Sequence, residues 1–554
     1  MPRLELEDVR ISYSTVGDEG RGRIQAVDGV SLTLEPGESL GLAGESGCGK
    51  STLALSVLRL LPVNATVDGK ILLGDDDITT ISWGRLRAVR WTEAAVVFQG
   101  AMHSLNPVQR VGSQIAEALR IHRAKVYPDA SSRAARVAEL LKLVDLQPAK
   151  ATSYPHELSG GQKQRIMIAM ALACDPELII ADEPTTALDV IVQAQVLKVL
   201  TDLVRERSLS LIMISHDLTV LAATCERICV MQDGKIVEEG PSARVMRHPE
   251  HPHTKALAAA FPMIGDTSSR KRLPGYTAPD APDQTGAVLR DAREPGDVVL
   301  AVRDLGVTFA SRAGRVRAVD GVDLSLRRGE IVALVGQSGS GKTTLARTIL
   351  GLEYPTRGAV LYEGKPLATS RKALKAYRRQ VQFVLQDPNA SLNPKHSVYE
   401  AVAEGPRIHS LPGDERDIVS TALQQAELTP PESFFTAIPQ ELSGGQRQRV
   451  VIAGALALAP EFLVADEPVA SLDASVRGEI LALLLRLKDE LGLGALVITH
   501  DLGLAWNIAD RVVVMHEGHI VEEGTVEDVL LDPQHDYTRK LLSVVPSAIG
   551  VVDE

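Results

Sequence analysis

The sequence is poor in cysteine, with four (Cys48, Cys174, Cys225 and Cys229) among 554 residues. Neither their number nor their spacing makes a secreted disulfide framework, which points to a reducing cytosol. It has no uninterrupted apolar run long enough to cross a bilayer. Its start, Met1-Pro2-Arg3-Leu4-Glu5-Leu6-Glu7-Asp8, lacks the apolar stretch of a secretion signal. Any membrane role is therefore expected to go through a partner. Basic charge is also short: 59 Lys and Arg stand against 71 Asp and Glu, a net charge of −12. That argues against a surface built to coat nucleic acid. The length itself exceeds what one hydrophobic core organises, so two or more domains are expected.

What the chain does contain, it contains twice. Gly44-Glu45-Ser46-Gly47-Cys48-Gly49-Lys50-Ser51-Thr52 and Gly336-Gln337-Ser338-Gly339-Ser340-Gly341-Lys342-Thr343-Thr344 are each followed by Leu-Ser-Gly-Gly-Gln, Ala-Asp-Glu-Pro and His-Asp. Ser159 to Ser443, Glu183 to Glu467 and His216 to His500 share one offset of 284 (443−159, 467−183, 500−216), whereas the lysines differ by 292 (342−50). The halves are thus a duplication with small insertions before the Leu-Ser-Gly-Gly-Gln segment.

The residues explain the chemistry. A polyphosphate needs positive electrostatics without bulk, and backbone N–H groups of a glycine loop opening a helix supply them. Lys50 and Lys342 reach the terminal phosphates. Ser51 and Thr343 offer hydroxyls to Mg²⁺, and Asp182 and Asp466, ending apolar strands, hold its water shell. Glu183 and Glu467 follow at once, placed to accept a proton from the attacking water or to orient it. His216 and His500, on loops after further apolar strands, can bond the terminal phosphate.

Each half opens with an alternating strand (Leu4-Glu5-Leu6-Glu7-Asp8-Val9; Val299-Leu300-Ala301-Val302-Arg303-Asp304-Leu305) and runs through Ala-Val-Asp-Gly-Val to an apolar strand that enters the glycine loop. Helical periodicity, with Val137, Leu140, Leu141 and Val144 on one face, predicts helical subdomains near 108–157 and 395–440. Leu178-Ile179-Ile180-Ala181 and Phe462-Leu463-Val464-Ala465 read as parallel strands covered on both faces. The fold class is α/β, with a first domain expected over 1–263, a breaker-rich linker over 264–297 and a second domain over 298–554. A flexible linker of that length spans roughly 30 Å.

At this point the chain resembles the ATP-binding-cassette (ABC) ATPases over nearly all its length apart from the linker. The family's signature stands as Leu158-Ser159-Gly160-Gly161-Gln162 and Leu442-Ser443-Gly444-Gly445-Gln446. The resemblance implies two tandem P-loop ATPase domains, each with a RecA-like core, an antiparallel β subdomain and a helical subdomain, using ATP and Mg²⁺. It also implies head-to-tail packing. One site would then combine Lys50, Ser51, Gln99, Asp182, Glu183 and His216 with Ser443 and Gly445, and the other Lys342, Thr343, Gln386, Asp466, Glu467 and His500 with Ser159 and Gly161. Gln99 and Gln386 serve both the metal and the catalytic chemistry. Asp189 and Asp473 fall at the family's coupling aspartate, and Tyr13 and Phe309 at its adenine-stacking position. Many paired cassettes have one degenerate site; here both keep glutamate and histidine, so two competent sites are expected.

Ser-Leu-Asn-Pro at 104–107 and 391–394, and the tails His248-Pro249-Glu250-His251-Pro252-His253-Thr254 and Asp532-Pro533-Gln534-His535-Asp536-Tyr537-Thr538, resemble the oligopeptide, dipeptide and nickel importer ATPases. That likeness implies two membrane permeases, an extracytoplasmic binding protein and a peripheral place on the cytoplasmic face of a bacterial membrane. Gly100-Ala101 stands where the second half has Asp387-Pro388, which suggests a heterodimeric permease pair. The cysteine-rich segment of many relatives is missing, so no iron–sulfur cluster is expected. Nickel, an opine or a sugar-like solute is an alternative cargo, and a soluble twin-cassette factor acting on ribosomes or DNA is an alternative class. The short linker and acidic charge weigh against the latter.

Other features have plainer readings. Cys225 and Cys229 read as apolar filler beside a strand rather than a metal pair. His248, His251 and His253 read as a surface turn, and the run Arg371, Lys372, Lys375, Arg378 and Arg379 as a solvated helix face. Cys48 stands either as a serine substitute or as a reactive thiol at a helix start.

Overall fold

The computed structural model describes residues 2–17, 20–98, 104–185, 188–260, 296–311, 314–470 and 472–545, together with 264, 265, 270, 271, 273 and 276. By contacts the chain divides into Met1–Ala258 and Ala259–Glu554.

In the first unit β1 (Leu4–Gly17) and β2 (Gly20–Leu34) pair antiparallel, and β3 (Ser39–Ala43) leads into the helix Lys50–Ser56. β4 (Ala65–Leu73) and β5 (Asp76–Asp77) complete a four-stranded sheet in the order β2-β1-β4-β5. The other strands are β6 (Ala94–Val97), β7 (Leu178–Asp182), β8 (Ser210–Ile214), β9 (Arg227–Gln232) and β10 (Lys235–Pro241). They form a six-stranded sheet, β10-β9-β3-β8-β7-β6, parallel except for β10. β3, β7 and β8 are buried at every position, as a parallel strand covered on both faces must be. Leu4, Val9, Ile11, Leu40, Leu42 and Leu53 belong to one core that joins both sheets to the helix after the glycine loop. Each such side chain contributes about 1.5–3 kcal/mol on burial.

The second unit repeats this plan with β11 (Val298–Ser311), β12 (Gly314–Arg327), β13 (Ile331–Val335), β14 (Arg357–Tyr362) and β15 (Lys365–Pro366). It continues with β16 (Val381–Val384), β17 (Phe462–Asp466), β18 (Gly494–Thr499), β19 (Arg511–His516) and β20 (His519–Thr525). The sheet orders are β12-β11-β14-β15 and β16-β17-β18-β13-β19-β20. The expected helical regions contain Val111–His122 and Ala130–Leu143 in one half and Val398–His409 and Glu415–Gln425 in the other. Val137, Leu140, Leu141 and Val144 are all buried.

Several residues between the two strand-rich regions pack on the second unit. The Arg270 guanidinium lies over the fully buried Trp506 ring at 5.7 Å, donates to the Ala509 carbonyl and pairs with Glu527. The Tyr276 hydroxyl donates to Asp489 at 2.5 Å, and Lys271 lies 3.6 Å from Asp510.

Of the tail histidines, His253 lies in a helix, whereas His248 and His251 stand outside it. Pro252–Ala259 is helical, because the Glu238 carboxylate accepts the N–H groups of Glu250 and His251 and so gathers the chain at the helix start. Cys225 and Cys229 are buried, as filler beside a strand should be. Among the described residues no helix is long and apolar enough to cross a membrane.

Candidate functional site

In each unit the glycine loop and the strand-end acid and histidine meet at one sheet edge. β3, β8 and β7 are parallel neighbours, so the loop after β3, His216 after β8 and Asp182 at the end of β7 share the C-terminal edge, where α/β sheets place ligands. β13, β18 and β17 do the same for Lys342, His500 and Asp466.

The loops owe their shape to glycine. Gly49 and Gly341 have φ of 103° and 106°, and a Cβ on them would lie 2.3 and 2.2 Å from the carbonyl oxygens of Ala26 and Ala318. Only glycine fits there. Lys50 is buried, its Nζ donating to the Gly44 and Glu45 carbonyls at 2.9 and 2.6 Å; Lys342 donates to Gly336 and Gln337 at 2.7 and 2.8 Å. Each ammonium is thus held inside its loop by weak acceptors that a phosphate can displace. Lys50 also lies 3.5 Å from Cys48 Sγ. Ser46, Gly47, Ser338 and Gly339 are exposed at the loop tips.

The Ser51 hydroxyl donates to Asp182 at 2.9 Å, and Thr343 to Asp466 at 3.1 Å. Burial pushes both aspartates above the ordinary carboxylate range, against the hydroxyl bonds that lower them. A hydroxyl beside a buried carboxylate fits a hard divalent cation such as Mg²⁺.

Glu183 and Glu467 sit immediately after these strands with positive φ, 43° and 47°, tied by their N–H groups to the carbonyls of Ile214 and Ile498 at 3.1 and 2.9 Å. A non-glycine residue in this region is costly, and the surrounding sheet holds it there. The turn aims each carboxylate at the histidine after the neighbouring strand: His216 Nδ1 lies 3.3 Å from Glu183, and His500 Nδ1 2.9 Å from Glu467. Burial lowers the His500 pKa, but the bonded Glu467 carboxylate outweighs it and the net shift is upward; Glu467 is correspondingly lowered. Gln386 donates to Glu467 at 2.7 Å. Gln99, residues 100–103 and Ala187 lie outside the described residues.

The Tyr13 hydroxyl is 3.1 Å from that of Thr52, while Phe309 presents a 40% exposed ring. Thr344, beside Thr343, accepts through its carbonyl the hydroxyl of Thr348 at 2.8 Å.

The signature segments form capped helix starts. Ser159 accepts the Gln162 N–H while the Gln162 side chain accepts the Ser159 N–H, and Ser443 and Gln446 repeat the pattern. Gly160 and Gly444 are the first helical residues. A Cβ on Gly161 would meet Val192 at 2.2 Å, and one on Gly445 would meet Val476 at 2.3 Å. These glycines therefore serve helix packing, a reason that sequence order does not reveal. Asp189 caps the helix Val190–Glu206 by accepting the Val192 N–H, and Asp473 precedes Ala474–Leu491.

One contact was not foreseen: the Gln337 N–H donates to the Tyr537 hydroxyl at 3.0 Å. The available signal was the shared register of the two tails, which served only to indicate a family.

The ABC transporter family pattern matches residues 27–186 and 319–470, and that of the oligopeptide/dipeptide transporter C-terminal region matches 237–286 and 521–550. The chain is 40% identical, over 98% of its length and 90% of theirs, to the glutathione import ATP-binding protein GsiA of Escherichia coli (strain K12) and to that of Salmonella typhimurium. It is similar to the solved structure of cbiO1 from Clostridium perfringens, with 34% identity over 43% of this chain and 92% of that one and a TM-score of 0.39.

Proposed function

Because the chain belongs to the ABC transporter ATPase family, we propose that it is the twin-cassette ATPase of a peptide-type importer, hydrolysing ATP to ADP and phosphate to drive uptake of a small peptide. The observation that carries this reading is the full-length likeness to a glutathione import ATPase, in a chain whose two halves both keep lysine, aspartate, glutamate and histidine at one sheet edge.

At each site the loop N–H groups and the freed lysine bind the phosphates. Ser51, Asp182 and Gln99 in the first cassette, and Thr343, Asp466 and Gln386 in the second, hold Mg²⁺, which when bound neutralises phosphate charge. Glu183 and Glu467 take the proton of the attacking water as its oxygen bonds the terminal phosphorus, and ADP leaves. His216 and His500 hold the terminal phosphate and orient those carboxylates. Tyr13 and Phe309 stack on adenine. Ser159, Gly160, Gly161 and Gln162, and Ser443, Gly444, Gly445 and Gln446, take part in nucleotide binding; this assignment rests on the family resemblance. The chain works at the cytoplasmic face of the membrane through two permease subunits, a heterodimer, supplied by an extracytoplasmic binding protein. Glutathione or a di- or tripeptide is the cargo class.

Purification of the tagged chain in mild detergent tests this. Two polytopic membrane proteins should come with it, and the reconstituted assembly should raise its ATP turnover when a peptide-loaded binding protein is added. Recovery with ribosomes and without permeases would overturn the reading, and stimulation by nickel or a sugar but not peptide would overturn the cargo.

A further inference from the structure

The C-terminal extension of the second cassette reaches its phosphate loop. Glu522 accepts the N–H groups of Gln534 and His535 at 2.7 and 3.1 Å, and His535 Nδ1 accepts that of Tyr537 at 3.1 Å. This anchoring buries Tyr537, stacks its ring on His516 at 3.8 Å and puts its hydroxyl 3.0 Å from the Gln337 nitrogen. The bonded N–H belongs to the Gly336–Gln337 peptide, whose carbonyl accepts the Lys342 ammonium at 2.7 Å. A peptide unit is planar and trans, so its N–H and C=O point opposite ways and fixing one fixes the other. The Tyr537 hydroxyl therefore sets the carbonyl that carries the lysine.

The first cassette has the same anchor with a different tip. Glu238 accepts the N–H groups of Glu250 and His251 at 3.0 and 2.9 Å, and His251 Nδ1 accepts that of His253 at 3.2 Å. In register His253 replaces Tyr537 (537−253 = 284), Gln232 replaces His516 (516−232 = 284) and Glu45 replaces Gln337 (337−45 = 292). His253 Nε2 is buried without a hydrogen-bond partner. Burial also pulls the His253 pKa down, against Glu45 and Asp233 and together with His251 and Lys50. The anchor repeats in both halves, and among the described residues only in the second does the tip bond to the loop.

We infer that this place in the C-terminal extension is a positioning site for the phosphate loop, occupied by a bonding hydroxyl at Tyr537 and by a non-bonding imidazole at His253. The inference rests on reading the loops as nucleotide sites. A loop held in its binding shape binds more tightly in proportion to the time it spends there. The second cassette accordingly has the better prepared loop.

The test is titration of the full chain with a fluorescent ATP analogue and magnesium, the first site read in a Lys342→Ala background and the second in Lys50→Ala. Tyr537→Phe keeps the ring and removes only the oxygen. It should weaken second-site binding about three- to tenfold, the worth of one hydrogen bond, raising KM while kcat at saturation is kept. His253→Tyr should tighten the first site by a similar factor. Unchanged affinity in either variant, or a fall in kcat at constant affinity, would overturn the inference. Absence of nucleotide binding in the parent chain would instead strike the proposed function.

Discussion

In the first cassette Lys50 rests on the carbonyls of Gly44 and Glu45, and in the second Lys342 rests on those of Gly336 and Gln337. Around these matching cradles the side chains diverge: Cys48 against Ser340, Glu45 against Gln337, His253 against Tyr537. The groups assigned to chemistry repeat, with Asp182, Glu183 and His216 answered by Asp466, Glu467 and His500. Duplication has thus preserved the groups proposed to act on phosphate and water while the supports beneath them have drifted. The cassettes should accordingly differ in how tightly they bind nucleotide rather than in what they do to it.

The harshest way to break this comparison is to remove the bases. Glu183→Gln and Glu467→Gln should each slow hydrolysis at their own site about 10²- to 10⁴-fold, and to a similar degree, as read by single-turnover assays. Intact turnover in Glu183→Gln beside its abolition in Glu467→Gln would mark the sites as unequal.

Next in size is alkylation of Cys48. Its sulfur lies 3.5 Å from Lys50 Nζ, so an adduct there should block nucleotide binding at the first site only, and ATP should protect against labelling. Stoichiometric modification with unchanged turnover would refute this.

Gly161→Ala and Gly445→Ala should each cost about 1–3 kcal/mol by overpacking, seen as a lowered Tm, with partial recovery in Gly161→Ala/Val192→Ala. Equal losses in the two halves would extend the symmetry to helix packing.

The finest probe is the His500 ring. Its pKa lies above the ordinary 6.5 despite burial, because Glu467 bonds it. The stability that the His500 charge gives is complete below pH 6.5 and is lost as pH rises through the higher folded value, whereas the share of the lowered Glu467 carboxylate is present above its unfolded pKa and lost as pH falls through its folded one. NMR titration should find the imidazolium persisting above 6.5, and Glu467→Gln should bring the transition down as burial takes over.

Much of the fold was legible because the signals are local. Glycines before Lys50 and Lys342, continuous apolar runs such as Leu178–Ala181, and the helical stripe of Val137, Leu140, Leu141 and Val144 each dictate an element without reference to distant residues. The proximity of aspartate, glutamate and histidine was legible too, since each ends a parallel strand and parallel strands end together. What stayed hidden depends on contacts remote in sequence. Gly161 looks like part of an anion cradle until Val192 is seen against it, and Tyr537 looks like a family mark until its hydroxyl is found on Gln337. The histidines of the first tail read as a turn because proline suggests one; that describes His248 and His251, whereas His253 lies in a helix whose start is gathered by Glu238, a residue remote from the segment.

The grip of Arg270 on Trp506 bears on how the chain can be taken apart. A truncated second half that began at its opening strand would strip Glu527 of a guanidinium and Asp489 of a phenol, and would uncover an indole in the helix that follows His500. The seam for dissection therefore lies upstream of Arg270, and a fragment that keeps this strap should outlast the shorter one under protease.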